Sequence, residues 1–463
     1  MKLTSEQRSA SIVAGLASFL APFMGSSVNI ALPSIGREFQ TDAITLGWVA
    51  TAYLLAAAVF LVPFGRLADI YGRKKIFLLG MTAYTTASLL CSLAASARTL
   101  IVFRVAQGMG AALVFGTSVA ILTSVFPRGE RGRALGINTA AVYLGLSLGP
   151  VLGGFLTHQL GWRSVFLVNI PLGLLVIAVV LARLRGEWAE AQGERFDLPG
   201  SLTYGLALVG IMLGFSRLPQ RLGFWLFGAG VAVAAGFVVC ERRIVFPVLD
   251  VRLFLRNRVF AFSNLAALIH YSATFAVAFF VSLYLQYIQG MTPQGAGLIL
   301  IAQPAVMTLF SPFAGRASDR IDPRIVASLG MAISSLGLFL LAFLRGATSL
   351  LFIVSSLALL GFGFALFSSP NTNAVMGSVE KKSYGVASAT LATMRLVGQM
   401  TSMGVAMMIV AVFVGRVQIT PASHEAFLQA LRAGFWLFAA LCLAGVFASL
   451  ARGNRNSTSR TRS

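Results

Sequence analysis

The chain has 463 residues, of which 57% are apolar and 11% charged, with a net charge of +21 at neutral pH. A soluble globular domain is usually about 45–50% apolar and about 25% charged; here the apolar excess runs the whole length, which excludes a soluble protein carrying one anchor. The basic residues sit in short clusters between apolar runs, where membrane loops would carry them, rather than in a patch for nucleic acid.

A span needs about 20 mostly apolar residues. The pattern predicts fourteen spanning helices, at 10–33, 46–66, 76–96, 99–124, 136–158, 164–183, 199–216, 223–240, 259–288, 295–315, 325–344, 349–370, 385–414 and 429–450. The run that begins near Ala10 is too long for a signal peptide and lacks a clear cleavage site, so it reads as the first span. With the N-terminus cytoplasmic, 26 Lys and Arg fall inside, 8 fall outside, and Arg104 and Arg395 lie within spans. That bias places both termini in the cytoplasm of a plasma (inner) membrane. Trp48, Trp162 and Trp225 then fall near outer span ends, as an aromatic belt would. Cys91, Cys240 and Cys442 lie in apolar runs and read as packing groups, with no disulfide or metal site.

PFGRLAD at 63–69 recurs as PFAGRASD at 312–319, so Gly65, Arg66 and Asp69 are matched by Gly315, Arg316 and Asp319. Six spans precede the pair at 199–240 and six follow it. The expected fold is therefore all-α and integral to the membrane: an N-terminal six-helix bundle (1–183), a linker with two inserted helices (184–258), a C-terminal six-helix bundle (259–451) and a tail (452–463) that reads as disordered and able to touch anionic lipid. The stretch 183–198 reads as a polar cytoplasmic linker.

Two segments carry chemistry. In GRLADIYGRKK (65–75), Asp69 and Arg73 are four apart and within ion-pair reach, while Gly65 and Gly72 permit close approach and a sharp turn. A carboxylate at the edge of a span can also meet the positive N-terminus of another helix in one conformation only, which would make it a gate. In GINTAAVYLGLSLGPVLGG (136–154), Gly145, Gly149 and Gly153 lie on one helix face and admit a second backbone. Pro150 softens the helix there.

These residues resemble the Major Facilitator Superfamily, in its fourteen-span drug:proton antiporter branch. Residues 65–77 resemble the superfamily's loop motif between spans two and three. Gly136, Gly145, Gly149, Pro150, Gly153 and Gly154 match the fixed positions of the antiporter motif of span five. RVAQGMGAA (104–112), VNIALPSI (28–35), GWRSVFLVNIPLG (161–173) and YLQYIQG (284–290) are similar to phrases of that branch. The resemblance implies a Major Facilitator fold, alternating access between two bundles, outward export and proton coupling. It also implies that Arg104 is a buried arginine that helps relay protons or shape the cavity.

One departure is plain. The branch usually places an Asp five residues before the position of Asn29; here it is Met24, and all 15 acids fall in loops or at span edges. The remaining candidates inside spans are Arg104 beside Gln107, Arg395 four residues before Gln399, and His270, a side chain suited to carrying protons near neutral pH. A hydrogen-bonded structural histidine is the commoner alternative. Asn29, Tyr143, Asn264, Gln286, Gln303, Asn371 and Asn373 are candidate polar cavity groups. Two arginines and no mid-span acid would make the cavity neutral to positive, favouring neutral lipophilic or anionic solutes over quaternary ammonium dyes.

The expected function is a secondary exporter of drugs or lipophilic or anionic metabolites, coupled to proton influx. Its partners would be a small-molecule substrate, protons and lipid, with the chain a monomer. The alternatives are a nutrient importer and a non-transporting sensor or scaffold. With three histidines, no metal-ligand cluster, no nucleophile triad and no Walker loop, the sequence calls for neither an enzyme nor a cofactor.

Overall fold

A computed structural model describes residues 4–126, 131–184, 186–189, 191–244, 247–249, 251–379 and 384–452. The predicted tail beyond 452 lies outside the described residues.

The first half comprises α1 (Ser5–Phe39), α2 (Ala43–Tyr71), α3 (Arg73–Ser92), α4 (Ala97–Val125), α5 (Arg131–Leu160), the short α6 (Ser164–Leu167) and α7 (Asn169–Arg183). An inserted hairpin follows, α8 (Leu198–Arg217) and α9 (Arg221–Glu241), and then the connecting α10 (Arg252–Arg256). The second half holds α11 (Arg258–Thr274), α12 (Val277–Leu283), α13 (Pro293–Leu300), α14 (Ala302–Arg320), α15 (Pro323–Leu341), α16 (Leu350–Gly377), α17 (Tyr384–Phe413) and α18 (His424–Leu450).

Local chemistry sets these boundaries. Asp42 accepts from the N–H groups of Ile44 and Thr45 and starts α2. Ser96 and Thr99 form a reciprocal cap on α4, and Asn257 accepts from the Phe260 N–H to start α11. Gly72, at φ +117°, makes the turn between α2 and α3 that a side chain would resist.

Thirteen helices among the described residues are long and apolar enough to cross a membrane. The segment expected as the third span is the exception. It forms α3, but Arg73, Lys74, Lys75 and a run of Thr, Tyr and Ser make it more polar; one face packs on α4 and α7 and the other, with Leu79, Leu89 and Leu90, is exposed. The expected span at 259–288 is one path of α11 and α12 that ends in a π-helical turn, Tyr284–Ile288.

The two halves repeat one packing scheme. In the first, α1 packs on α5 while α2 and α3 pack on α4; in the second, α11 packs on α17 while α14 and α15 pack on α16. The inserted α8 touches both α2 and α17, and α9 is peripheral, with Phe224 and Trp225 exposed on its outer side. Trp162 corrects the aromatic-belt expectation. It is 3% exposed and donates through Nε1 to Glu38 Oε2 (2.7 Å), so it packs inside the protein instead of facing lipid.

Candidate functional site

The two halves meet mainly at the end of the molecule that carries Gln40. Ser282 Oγ donates to the Asn29 carbonyl (2.7 Å), Gln286 Nε2 to the Ile30 carbonyl (3.0 Å) and Gln418 Nε2 to Gln40 Oε1 (3.2 Å). Ser282 and Gln286 come from the α12 and π-turn stretch, whose register aims both at α1. π-turns recur where a helix must re-aim side chains. On the opposite flank α5 meets α13 almost backbone to backbone. A Cβ on Gly154 would lie 2.6 Å from the Pro293 carbonyl oxygen, and one on Gly297 would strike the Pro150 carbonyl. At mid-depth Ser147 and Thr308 share a hydrogen bond of 3.2 Å. Toward the end that carries Gly72, Gly15, Gly25 and Gly65 face open space. The hydrogen bonds between the bundles thus lie at the Gln40 end and at mid-depth.

The span-five glycines do what their spacing predicts. Cβ atoms on Gly145, Gly149 and Gly153 would lie 2.5 Å from the Phe19 carbonyl oxygen, 2.5 Å from Ser26 Cβ and 2.7 Å from Ser27 Cα. This face holds α1, and Ser27 Oγ donates to the Gly149 carbonyl just before Pro150 (2.9 Å). The surroundings of Gly136 lie outside the described residues.

At the Gly72 end, Arg73 donates through Nε to Asp69 Oδ1 (2.9 Å) and through Nη1 to Ser124 Oγ (2.8 Å), tying the ends of α2, α3 and α4 together. A strap that the sequence reading took for a plain linker completes this site. Glu187 accepts from the N–H groups of Lys74 (2.8 Å) and Lys75 (3.3 Å), placing its charge at the start of α3. The Arg73 N–H donates to the Trp188 carbonyl (2.9 Å), the Ala191 N–H to the Asp69 carbonyl (3.0 Å), and Arg66 pairs with Glu194. In the second copy, Gly315 faces Ser369, and Asn373 Nδ2 donates to Ser318 Oγ (2.7 Å), joining α16 to α14. The side chain of Asp319 lies outside the described residues.

The groups inside the spans separate into two kinds. Arg104 is 1% exposed: Nε donates to the Val49 carbonyl (3.0 Å), Nη1 to Gln107 Oε1 (2.5 Å), and its guanidinium lies 4.3 Å from the centre of the Tyr53 ring. Gln107 passes the chain on to Ser88 Oγ (2.8 Å). The charge is thus enclosed in the first bundle and does not snorkel outward. His270 is also fully buried, stacked on Phe367 at 4.1 Å, with Nε2 3.2 Å from Ser334 Oγ. Arg395 is different. It is half-buried, Nη2 donates to Thr372 Oγ1 (2.8 Å), and Nε has no acceptor. The centre of the Tyr271 ring lies 5.7 Å from the Arg395 guanidinium carbon. Gln399 is half-buried one turn further along α17. Asn29, Asn264, Gln286 and Asn371 are buried, each with a side-chain oxygen lacking a partner; Gln303 is half-buried.

Two acids went unnoticed as a pair. Glu241, 1% exposed at the end of α9, and Asp197, which caps α8, each turn an unpartnered oxygen toward Gly200. Nothing in their 44-residue separation signals the encounter.

A multi-pass helical membrane protein of two similarly packed halves is the architecture of a carrier. The chain belongs to the Major Facilitator Superfamily, whose pattern it matches over residues 14–262 and 263–463. It is 35% identical over 396 residues to the multidrug resistance protein Stp of Mycobacterium tuberculosis, covering 84% of this chain and 73% of that protein. It is 34% identical over 409 residues to the cephamycin export protein CmcT of Amycolatopsis lactamdurans, covering 85% and 83%. It is 30% identical over 379 residues to the riboflavin transporter RibZ of Clostridioides difficile, covering 81% and 82%. Its fold is similar to the crystal structure of a bacterial homologue of the human lysosomal transporter Spinster in an inward-facing, unoccupied conformation. The TM-score is 0.70 at 19% identity, over 97% of this chain and 98% of that one. The chain is a transporter and not an enzyme.

Proposed function

We propose that this transporter is an exporter of drugs or of lipophilic and anionic metabolites, working by alternating access and driven by proton influx. The reading takes fourteen spans, α3 included, with both termini and the Gly72 end in the cytoplasm of the plasma membrane, and the chain acting as a monomer. The two bundles are then 1–183 and 259–451, joined by 184–258. The observation that supports it is the closure of the halves on one another at the Gln40 end, which in this reading leaves the Gly72 end as the open side of a central cavity. Relatives named for multidrug resistance and for cephamycin export supply the direction.

In this account Asp69 and Arg73 belong to the gate. With the cytoplasmic end open, Asp69 is bonded to Arg73. When that end closes, the carboxylate is free to meet a helix N-terminus of the second bundle. Gly315 and Asp319 mark the matching position in the second half. His270 is the candidate proton carrier within the spans, and Arg104 with Gln107 holds the first bundle in shape around the cavity.

The test is efflux of a neutral lipophilic dye from cells overproducing the protein, with and without a proton uncoupler. Uncoupler-sensitive efflux is expected from the wild type. In Asp69→Asn it should fall about tenfold, the effect of about 1.4 kcal/mol on the gating equilibrium. Loss of uncoupler sensitivity in His270→Gln would assign the proton to the histidine; full sensitivity there would assign His270 to packing. Efflux no greater than from cells lacking the protein would refute the exporter. A riboflavin transporter among the relatives keeps one second reading, uptake of a metabolite, which inward flux of the same probes would reveal.

A further inference from the structure

The reading of this chain as an exporter leaves open what its cavity selects, and Arg395 bears on that. Among the described residues it is a cation inside the spans that has no carboxylate near it. Arg104 is enclosed and bonded to Val49 and Gln107. The described acids all sit at helix ends or in loops. The guanidinium of Arg395 is held from behind by Thr372 on α16 through Nη2, which fixes its plane. Its Nε is buried without an acceptor, and because the residue is only half-buried the rest of its guanidinium edge is within reach of a ligand. Tyr271 of α11 flanks it, with the guanidinium carbon 5.7 Å from the centre of its ring.

A buried donor without an acceptor is costly, and an isolated cation in a poorly solvated site more so. An oxyanion at the reachable edge relieves the isolated charge, since a guanidinium edge matches the two oxygens of a carboxylate. Charge attraction is several-fold stronger in such a site than in bulk water. We propose, resting on the exporter reading, that Arg395 is the anchor for a carboxylate or similar oxyanion on the transported molecule, and that Thr372 is the residue that positions it. An occupant held there has Tyr271 beside it.

The test uses a matched pair of probes, 1-naphthylacetate and its neutral analogue 1-naphthylacetamide. Equilibrium binding to the purified full-length protein is measured first, at neutral pH and moderate salt, and counterflow in proteoliposomes second. The wild type should bind the carboxylate at least about tenfold more tightly than the amide, a typical margin for one charge-assisted contact in a partly buried site. Arg395→Gln should bind both probes equally, at the wild-type affinity for the amide, and Arg395→Lys should keep part of the preference. Three results would overturn the proposal: no preference in the wild type, a preference that survives in Arg395→Gln, or equal weakening of both probes in that variant, which marks a structural brace. The wild-type comparison stands even if a variant does not fold. A carboxylate preference in binding without counterflow would leave the anion site in place and remove the exporter reading.

Discussion

Arg104 and Arg395 are both arginines inside spans, and their partners give them opposite roles. Arg104 satisfies the Val49 carbonyl and Gln107 in a dry interior, so removing it leaves buried acceptors unpaired. We expect Arg104→Gln to lower stability by about 2–4 kcal/mol, read as a fall in melting temperature, while the preference between anionic and neutral probes stays as in the wild type. Arg395→Gln should do the reverse; a selectivity change in Arg104→Gln would contradict this division. The sequence showed that both residues lie inside spans, because a charge in an apolar run is conspicuous. It could not show which one is enclosed, since the deciding partners, Val49 and Thr372, are 55 and 23 residues away. Trp162 failed for the same reason. Its place near a span end was legible, but the partner that draws it inward, Glu38, is 124 residues distant.

Among the helices, α5 is the element that the sequence described best. Glycines four apart make a bare face whatever the partner, and the structure seats that face on α1. What the spacing did not reveal is that the neighbouring Gly154 and the distant Gly297 bring α5 and α13 together across the halves. Valine at 297 would strike the Pro150 carbonyl, and overpacking of this kind costs about 1–3 kcal/mol. That cost falls only on the state closed at the Gln40 end. The equilibrium should therefore move toward the opposite opening by roughly 5- to 150-fold. In a cysteine-free background carrying Thr308→Cys, a membrane-impermeant maleimide applied from the Gln40 side should label Gly297→Val faster than the parent. Equal labelling would mean that the α5–α13 contact does not hold that end shut. The stretch 183–198 reads in the sequence as a plain linker because its composition is polar. Its contacts with Asp69, Arg73 and Lys74 arise only when the chain folds back after α7.

For the whole molecule, two halves could be anticipated from the repeated Gly-Arg-x-x-Asp motif, and their packing schemes match helix for helix. The number of spans was less secure for a physical reason. α3 turns Tyr84, Thr85, Ser88 and Ser92 inward while Leu79, Leu89 and Leu90 stay on its exposed face, so its mean hydropathy is low although its outer face is apolar. The central proposal concerns direction: substrate enters at the Gly72 end, read as cytoplasmic, and leaves at the Gln40 end. Uptake of a neutral lipophilic dye into inverted membrane vesicles tests it most directly, because export from the cytoplasm appears there as accumulation. Energised vesicles carrying the wild type should concentrate the dye, lose it when an uncoupler is added, and accumulate about tenfold less with Asp69→Asn. Dye levels equal to those in vesicles lacking the protein, or accumulation only in right-side-out vesicles, would contradict the account.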